Sequence, residues 1–93
     1  MRYRVELRPR ARSYLRKLPA NLQRLVIEHL EALEPNPRPP WCKRLGRDLK
    51  GRWSFRVSDY RVVYRVDDDV LVVLVLEIGP RGKVYEDAAR DAD

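Results

Sequence analysis

Apolar and polar residues alternate with a period of two from Arg2 to Leu7. Tyr3, Val5 and Leu7 fall on one side and Arg2, Arg4 and Glu6 on the other, as in a strand buried on one face. The period then changes. Pro9 stands where a helix can begin, and Ala11, Tyr14, Leu15 and Leu18 follow helical spacing up to Pro19. A second stripe, Leu22, Leu25, Val26, Leu30 and Leu33, predicts another helix from about Ala20. Two helices joined at one proline read as a helical hairpin. Pro35, Pro37, Pro39 and Pro40 stop the second helix and stiffen the chain that follows. Lys43 to Gly51 reads as a basic connector. Beyond it the period of two returns, predicting strands over Arg52–Val57, Tyr60–Asp67 and Val70–Ile78, with turns at Ser58-Asp59 and Asp68-Asp69 and a break at Gly79-Pro80. Lys83–Tyr85 adds a little strand and Glu86–Ala92 a short helix. The expected fold class is α+β: an N-terminal strand, an α-helical hairpin, then a three-stranded antiparallel meander in one largely antiparallel sheet, all in a single domain over residues 1–93.

The register of the first hairpin separates its side chains. A turn at Ser58-Asp59 pairs Val57 with Tyr60, Arg56 with Arg61, Phe55 with Val62, Ser54 with Val63, Trp53 with Tyr64 and Arg52 with Arg65. Trp53, Phe55, Val57, Tyr60, Val62 and Tyr64 make the core face. Arg52, Ser54, Arg56, Arg61, Val63 and Arg65 make the other. Two arginine pairs opposed across a hairpin repel by some tenths of a kcal/mol each. An anion held between Arg56 and Arg61 turns that repulsion into attraction. The following strand runs back to the same end of the sheet, which brings Arg81 and then Tyr85 towards that pair.

Charge changes the picture further. The chain has 20 Lys+Arg against 14 Asp+Glu, a net charge of +6, and 16 of the 20 bases are arginine. The acids concentrate in the segment 86–93, so residues 1–85 carry 19 bases against 10 acids. A positive body of this kind attracts polyanions. No apolar run approaches the roughly 20 residues of a membrane span; the longest is Val70 to Leu76. No signal segment opens the chain, and Cys42 stands alone, which fits a cytoplasmic protein without membrane contact. His29 is the lone histidine, and no Cys/His spacing or carboxylate motif suggests a metal or other cofactor. Asp67, Asp68 and Asp69 read as turn residues.

An arginine cluster clamps charge well and abstracts protons poorly. That suits a phosphoryl centre gathering negative charge in its transition state. RNA supplies its own nucleophile, the ribose 2′-hydroxyl, so the protein need only align the backbone, stabilise the phosphorane and help protons move.

The chain resembles the RelE/ParE toxin family over about residues 3–87. The resemblance rests on Ala11, the Leu15-Arg16-Lys17-Leu18-Pro19 segment, Asn36-Pro37, Lys43-Arg44-Leu45, Trp53-Ser54-Phe55-Arg56-Val57, Asp59-Tyr60-Arg61-Val62-Val63-Tyr64, Gly79-Pro80-Arg81 and Val84-Tyr85. It is similar to the RelE branch in particular. What this implies is a type II toxin that cuts messenger RNA in the ribosomal A site by 2′-hydroxyl attack, without a metal or cofactor, leaving a 2′,3′-cyclic phosphate. It also implies a cognate antitoxin as partner in a hetero-oligomeric complex. The family's catalytic positions match Arg56, Arg61, Arg81 and Tyr85. Lys43, Arg44, Arg47, Lys50, Arg52, Ser54, Arg65 and Lys83 are the expected RNA-contacting residues around them. The chain departs from the pattern at Ser54, where some members carry a second basic residue, so the group that takes the 2′-hydroxyl proton is open between Tyr85 and others. Two other activities stay open: inhibition of DNA gyrase as in the ParE branch, and RNA or ribosome binding with little or no cleavage.

Overall fold

The structure is a computed structural model that describes residues 2–46 and 49–80. Its elements are β1 (Arg4–Leu7), α1 (Pro9–Lys17), α2 (Ala20–Ala32), β2 (Lys43–Arg44), β3 (Arg52–Val57), β4 (Tyr60–Asp67) and β5 (Val72–Pro80). The strands form one five-stranded sheet in the order β1-β5-β4-β3-β2. Only β1 and β5 run parallel; the other neighbours are antiparallel. The α+β architecture with a helical hairpin on a largely antiparallel sheet is therefore as the sequence predicts.

Pro9 opens α1 at a position where its missing N–H has no intrahelical role. The α1–α2 turn is closed by Gln23, whose side-chain amide donates to the carbonyls of Leu18 at 2.8 Å and Arg16 at 3.1 Å. Orphan carbonyls at the end of α1 are thus satisfied from the next helix. The two helices bury Ala11, Leu18, Val26, Leu30 and Leu33 against Phe55, Val57, Val62, Tyr64, Val73, Val75 and Ile78 of the sheet. His29 joins this core as a structural residue. Its ring stacks on Phe55 with centroids 5.4 Å apart, and its Nδ1 lies 2.7 Å from the Leu25 carbonyl. Tyr64 donates a 2.8 Å hydrogen bond to the Pro37 carbonyl, which ties the proline-rich loop to the sheet.

The hairpin register is the predicted one, residue for residue: Arg56 opposes Arg61, Ser54 opposes Val63 and Arg52 opposes Arg65. Three boundaries differ. β1 begins at Arg4 instead of Arg2. The basic connector contributes a short edge strand, β2, in which Lys43 pairs with Ser54 and Arg44 with Trp53. The β4–β5 turn is longer than two residues. It is closed by Leu71 in the left-handed region at φ 56° and by Asp67, whose Oδ1 accepts the Asp69 N–H at 3.0 Å. β5 consequently starts at Val72 and runs on through Gly79 and Pro80. β1 pairs with β5 only as far as Val75, so Pro80 occupies an edge where a missing donor is tolerated.

Within β5 there is a bulge. Val63 opposes Glu77 but Tyr64 opposes Val75, which leaves Leu76 as the extra residue.

Candidate functional site

The face of the sheet turned away from the helices carries its side chains in three cross-strand rows. The first is Arg56, Arg61 and Gly79; the second is Lys43, Ser54, Val63 and Glu77; the third is Arg52, Arg65 and Leu74. The first row lies at the β3–β4 turn. Arg56 is exposed, and its Nε donates to the Ser58 carbonyl at 2.8 Å, within a turn where Ser58 adopts φ 55°. Arg61 is half-buried. Its Nε is removed from solvent and has no hydrogen-bond partner among the described residues. A donor on a charged group left in that state is costly, and an anion is the group that would satisfy it.

Gly79 stands directly opposite Arg61, and Pro80 opposite Tyr60, so β5 ends at the same end of the sheet as the arginine pair. Arg81, Lys83 and Tyr85 lie outside the described residues, as does Arg47. The strand and helix expected over 83–92 lie outside them too.

The other expected positions divide. Lys43 shares a face with Ser54. Arg44 pairs with Trp53, whose neighbour in the next strand is the core residue Tyr64, and its guanidinium lies over the Trp53 ring at 6.0 Å from the centroid. The structure thus turns Arg44 away from the arginine face. Lys50 is exposed in the turn before β3. Arg52 and Arg65 occupy the right face but stand four residues along their strands from Arg56 and Arg61, roughly 13 Å away at strand spacing. Ser54, expected to touch RNA, is 0% exposed, and its hydroxyl has no hydrogen-bond partner among the described residues. The reason is that this face is not bare. Val63 and Leu76 form a second small core with Leu45, Leu49 and Leu74 packed on it, so the connector is pinned across the middle row. Helical or alternating periodicity does not reveal Leu45 and Leu49, because the connector has neither.

The sequence reading also passed over Glu77 and Arg10. Glu77 lies on β5 in the middle row, only 2% exposed, and its Oε1 accepts a 2.8 Å hydrogen bond from Nη1 of Arg10 at the start of α1. The available signal was the single acid inside the apolar stretch Val70–Ile78.

Two titrating groups show where the site is not. Burial pushes the Tyr64 phenol far above its usual range and raises the Cys42 thiol. Both pack in the helix-side core, and each holds its proton too firmly to act as a base. Among the described residues no group of three or more His, Cys, Asp and Glu side chains could hold a metal ion. No helix among them is long and apolar enough to cross a membrane.

Comparison with known proteins agrees with this fold. Residues 5–85 match the family described as the ParE toxin of the type II toxin–antitoxin system. The toxin RelG of Mycobacterium tuberculosis is 36% identical over 87 residues, which is 91% of this chain and 98% of that protein. The mRNA interferase toxin RelE of Escherichia coli K12 is 30% identical, with 97% of each chain covered. A double arginine-to-alanine variant of the E. coli toxin RelE, solved in the free state, superposes with a TM-score of 0.85 at 26% identity over all of both chains. The toxin–antitoxin complex RelBE2 of M. tuberculosis gives 0.76 at 34% identity, covering 87% of this chain and 100% of that one. The chain belongs to the RelE/ParE family of type II toxins, as a RelE-like member.

Proposed function

We propose that this protein is a ribosome-dependent messenger-RNA endonuclease. The observation that carries the reading is the Arg56–Arg61 pair, opposed across the hairpin, with the buried Arg61 Nε unsatisfied among the described residues. An RNA phosphate bound there would be held by guanidinium groups from two strands. The ribose 2′-hydroxyl attacks phosphorus, the P–O5′ bond breaks, and the products are a 2′,3′-cyclic phosphate and a 5′-hydroxyl. Arg56 and Arg61 stabilise the charge that builds on the non-bridging oxygens. Arg81 assists the departing 5′-oxygen, and Tyr85 takes part in proton transfer. Arginine supplies the positive charge, so the reaction runs without a metal or other cofactor. Lys43, Lys50, Arg52 and Arg65 contact flanking phosphates; Arg47 and Lys83 guide the backbone from the periphery, while Arg44 stays on the Trp53 ring. Ser54 supports the strand from below.

The names of the relatives support the substrate class, since RelE of E. coli is called an mRNA interferase. They also support a cognate antitoxin as partner, because RelBE2 of M. tuberculosis and an archaeal RelE–RelB pair from Pyrococcus horikoshii were solved as complexes. A translation extract programmed with end-labelled mRNA tests the proposal. Wild type should produce cuts in register with codons. Arg61→Ala and Arg81→Ala should each lose two decades or more of rate, about 2.7 kcal/mol of transition-state stabilisation. Intact mRNA at full translational arrest would refute cleavage, and double-strand breaks in DNA would point to gyrase instead.

A further inference from the structure

Helix α2 carries a second stripe beside the one it buries. Leu25, Glu28, His29 and Ala32 follow the spacing i, i+3, i+4 and i+7, which sets them on one flank of the helix. Trp41, at the end of the proline-rich loop, stands against that flank. Glu28, His29, Ala32 and Trp41 line an open pocket of about 280 Å³, smaller than the usual small-molecule site and roomy enough for one long side chain.

The apolar wall of the pocket is fixed. The Trp41 ring meets His29 at 5.3 Å and Phe55 at 5.6 Å, both edge to face, and His29 stacks on Phe55, so three rings brace one another against the core. The Cys42 N–H donates to the Pro39 carbonyl at 3.0 Å, closing the turn that presents the indole. Even so, Trp41 is 45% exposed, and Leu25 on the same flank is 41% exposed. A tryptophan already held in place loses little entropy on binding, which suits it as an interface anchor.

The polar surroundings favour a cation. Glu28 is exposed and has no hydrogen bond or ion pair among the described residues. His29 Nδ1 donates to the Leu25 carbonyl, which leaves Nε2 of the neutral ring an acceptor. Glu28 to Ala32 is also the last turn of α2, the negative end of the helix dipole. From Leu25 to Pro37 the sequence has three glutamates and no lysine or arginine, in a chain of net charge +6. The face of an indole attracts cations too. The same groups repel a phosphate backbone, so this pocket suits a protein and not RNA.

We propose that the pocket is a docking site for an arginine side chain of the antitoxin. The alkyl stem lies along Ala32 and the guanidinium meets the Trp41 ring and the Glu28 carboxylate, a planar head that matches both. The inference rests on the reading that an antitoxin is the partner of this chain.

The test is titration of the isotope-labelled full chain with N-acetyl-arginine amide at constant ionic strength, read by NMR. The Trp41 indole N–H and the Ala32 amide should shift together and saturate. The dissociation constant should be on the order of 10 millimolar, because one cation–π contact and one exposed ion pair carry the binding. N-acetyl-citrulline amide, of similar length but uncharged, should shift neither. Glu28→Gln should weaken binding about threefold to fivefold at an unchanged melting temperature. Trp41→Phe, which keeps a ring against Phe55, identifies the indole signal and should also weaken binding. Citrulline matching arginine, or Glu28→Gln binding as tightly as wild type, would overturn the proposal. In the toxin–antitoxin complex the probe should shift neither signal, because the pocket is filled. A pocket still open there would overturn the antitoxin as its occupant, as would broadening of both signals with rising concentration of the chain alone, the mark of a second copy. A chain that binds the probe yet forms no antitoxin complex would refute the partner reading and leave the arginine pocket standing.

Discussion

Replacing Arg61 with leucine should make the protein more stable and inactive. Two terms act in the same direction. Arg56 and Arg61 oppose one another across the hairpin, and two positive charges about 7 Å apart repel by ~0.6 kcal/mol under water-like screening. The buried Nε of Arg61 has no hydrogen-bond partner among the described residues, a deficit of about 1–3 kcal/mol that a half-buried side chain feels only in part. Leucine keeps an aliphatic side chain at this half-buried position of β4. The net gain is ~1 kcal/mol, or about 4–8 °C in melting temperature for a domain of this size. Cleavage in the translation extract should meanwhile fall at least about 100-fold. Calorimetry with and without sulfate completes the experiment. An anion that binds only the folded protein stabilises it by mass action, so wild type should gain more from sulfate than Arg61→Leu. The comparison between the two proteins removes sulfate's general exclusion effect. A lower melting temperature in Arg61→Leu, together with equal sulfate responses, would show that Arg61 is a structural prop and that no anion site exists at this row.

Tyr64→Phe should lower stability by about 1–3 kcal/mol, because the buried Pro37 carbonyl loses its donor; thermal melts should show it, while cleavage per folded molecule stays unchanged. At the opposite end of the sheet Asp68 accepts hydrogen bonds from Arg38 at 2.8 and 3.2 Å and from Tyr3 at 2.5 Å, and these hold its carboxyl below the usual value of 3.8. A carboxylate whose folded pKa is depressed stabilises the fold above its unfolded pKa and loses that contribution as pH falls through the folded one. Asp68→Asn should therefore melt below wild type at neutral pH, with the difference shrinking in melts taken progressively below about pH 4. A gap that stays constant through the acid range would rule out this link between Tyr3, Arg38 and the β4–β5 turn.

Local patterns were enough to establish the two helices, four of the five strands and the hairpin register. The apolar stripes of α1 and α2, the proline between them and the alternation through Arg52–Asp67 depend on neighbours a few residues apart. The opposition of Arg56 with Arg61 follows from the same short-range geometry, because a turn at Ser58-Asp59 leaves only one pairing that buries Phe55 and Val62 together. Three features depended on the packed chain. β1 lies parallel to β5 because the helical hairpin carries the chain across the sheet, a matter of which edges remain available. Leu45 and Leu49 cover the middle row and bury Ser54 because Val63 and Leu76 present apolar surface there, and no periodicity in the connector announces it. The phase of β5 is the clearest case. Alternation alone places Glu77 in the core; the energy of leaving a carboxylate among aliphatic side chains is what selects the bulged register. That choice is made by the surroundings of residue 77, which the one-dimensional chain does not contain.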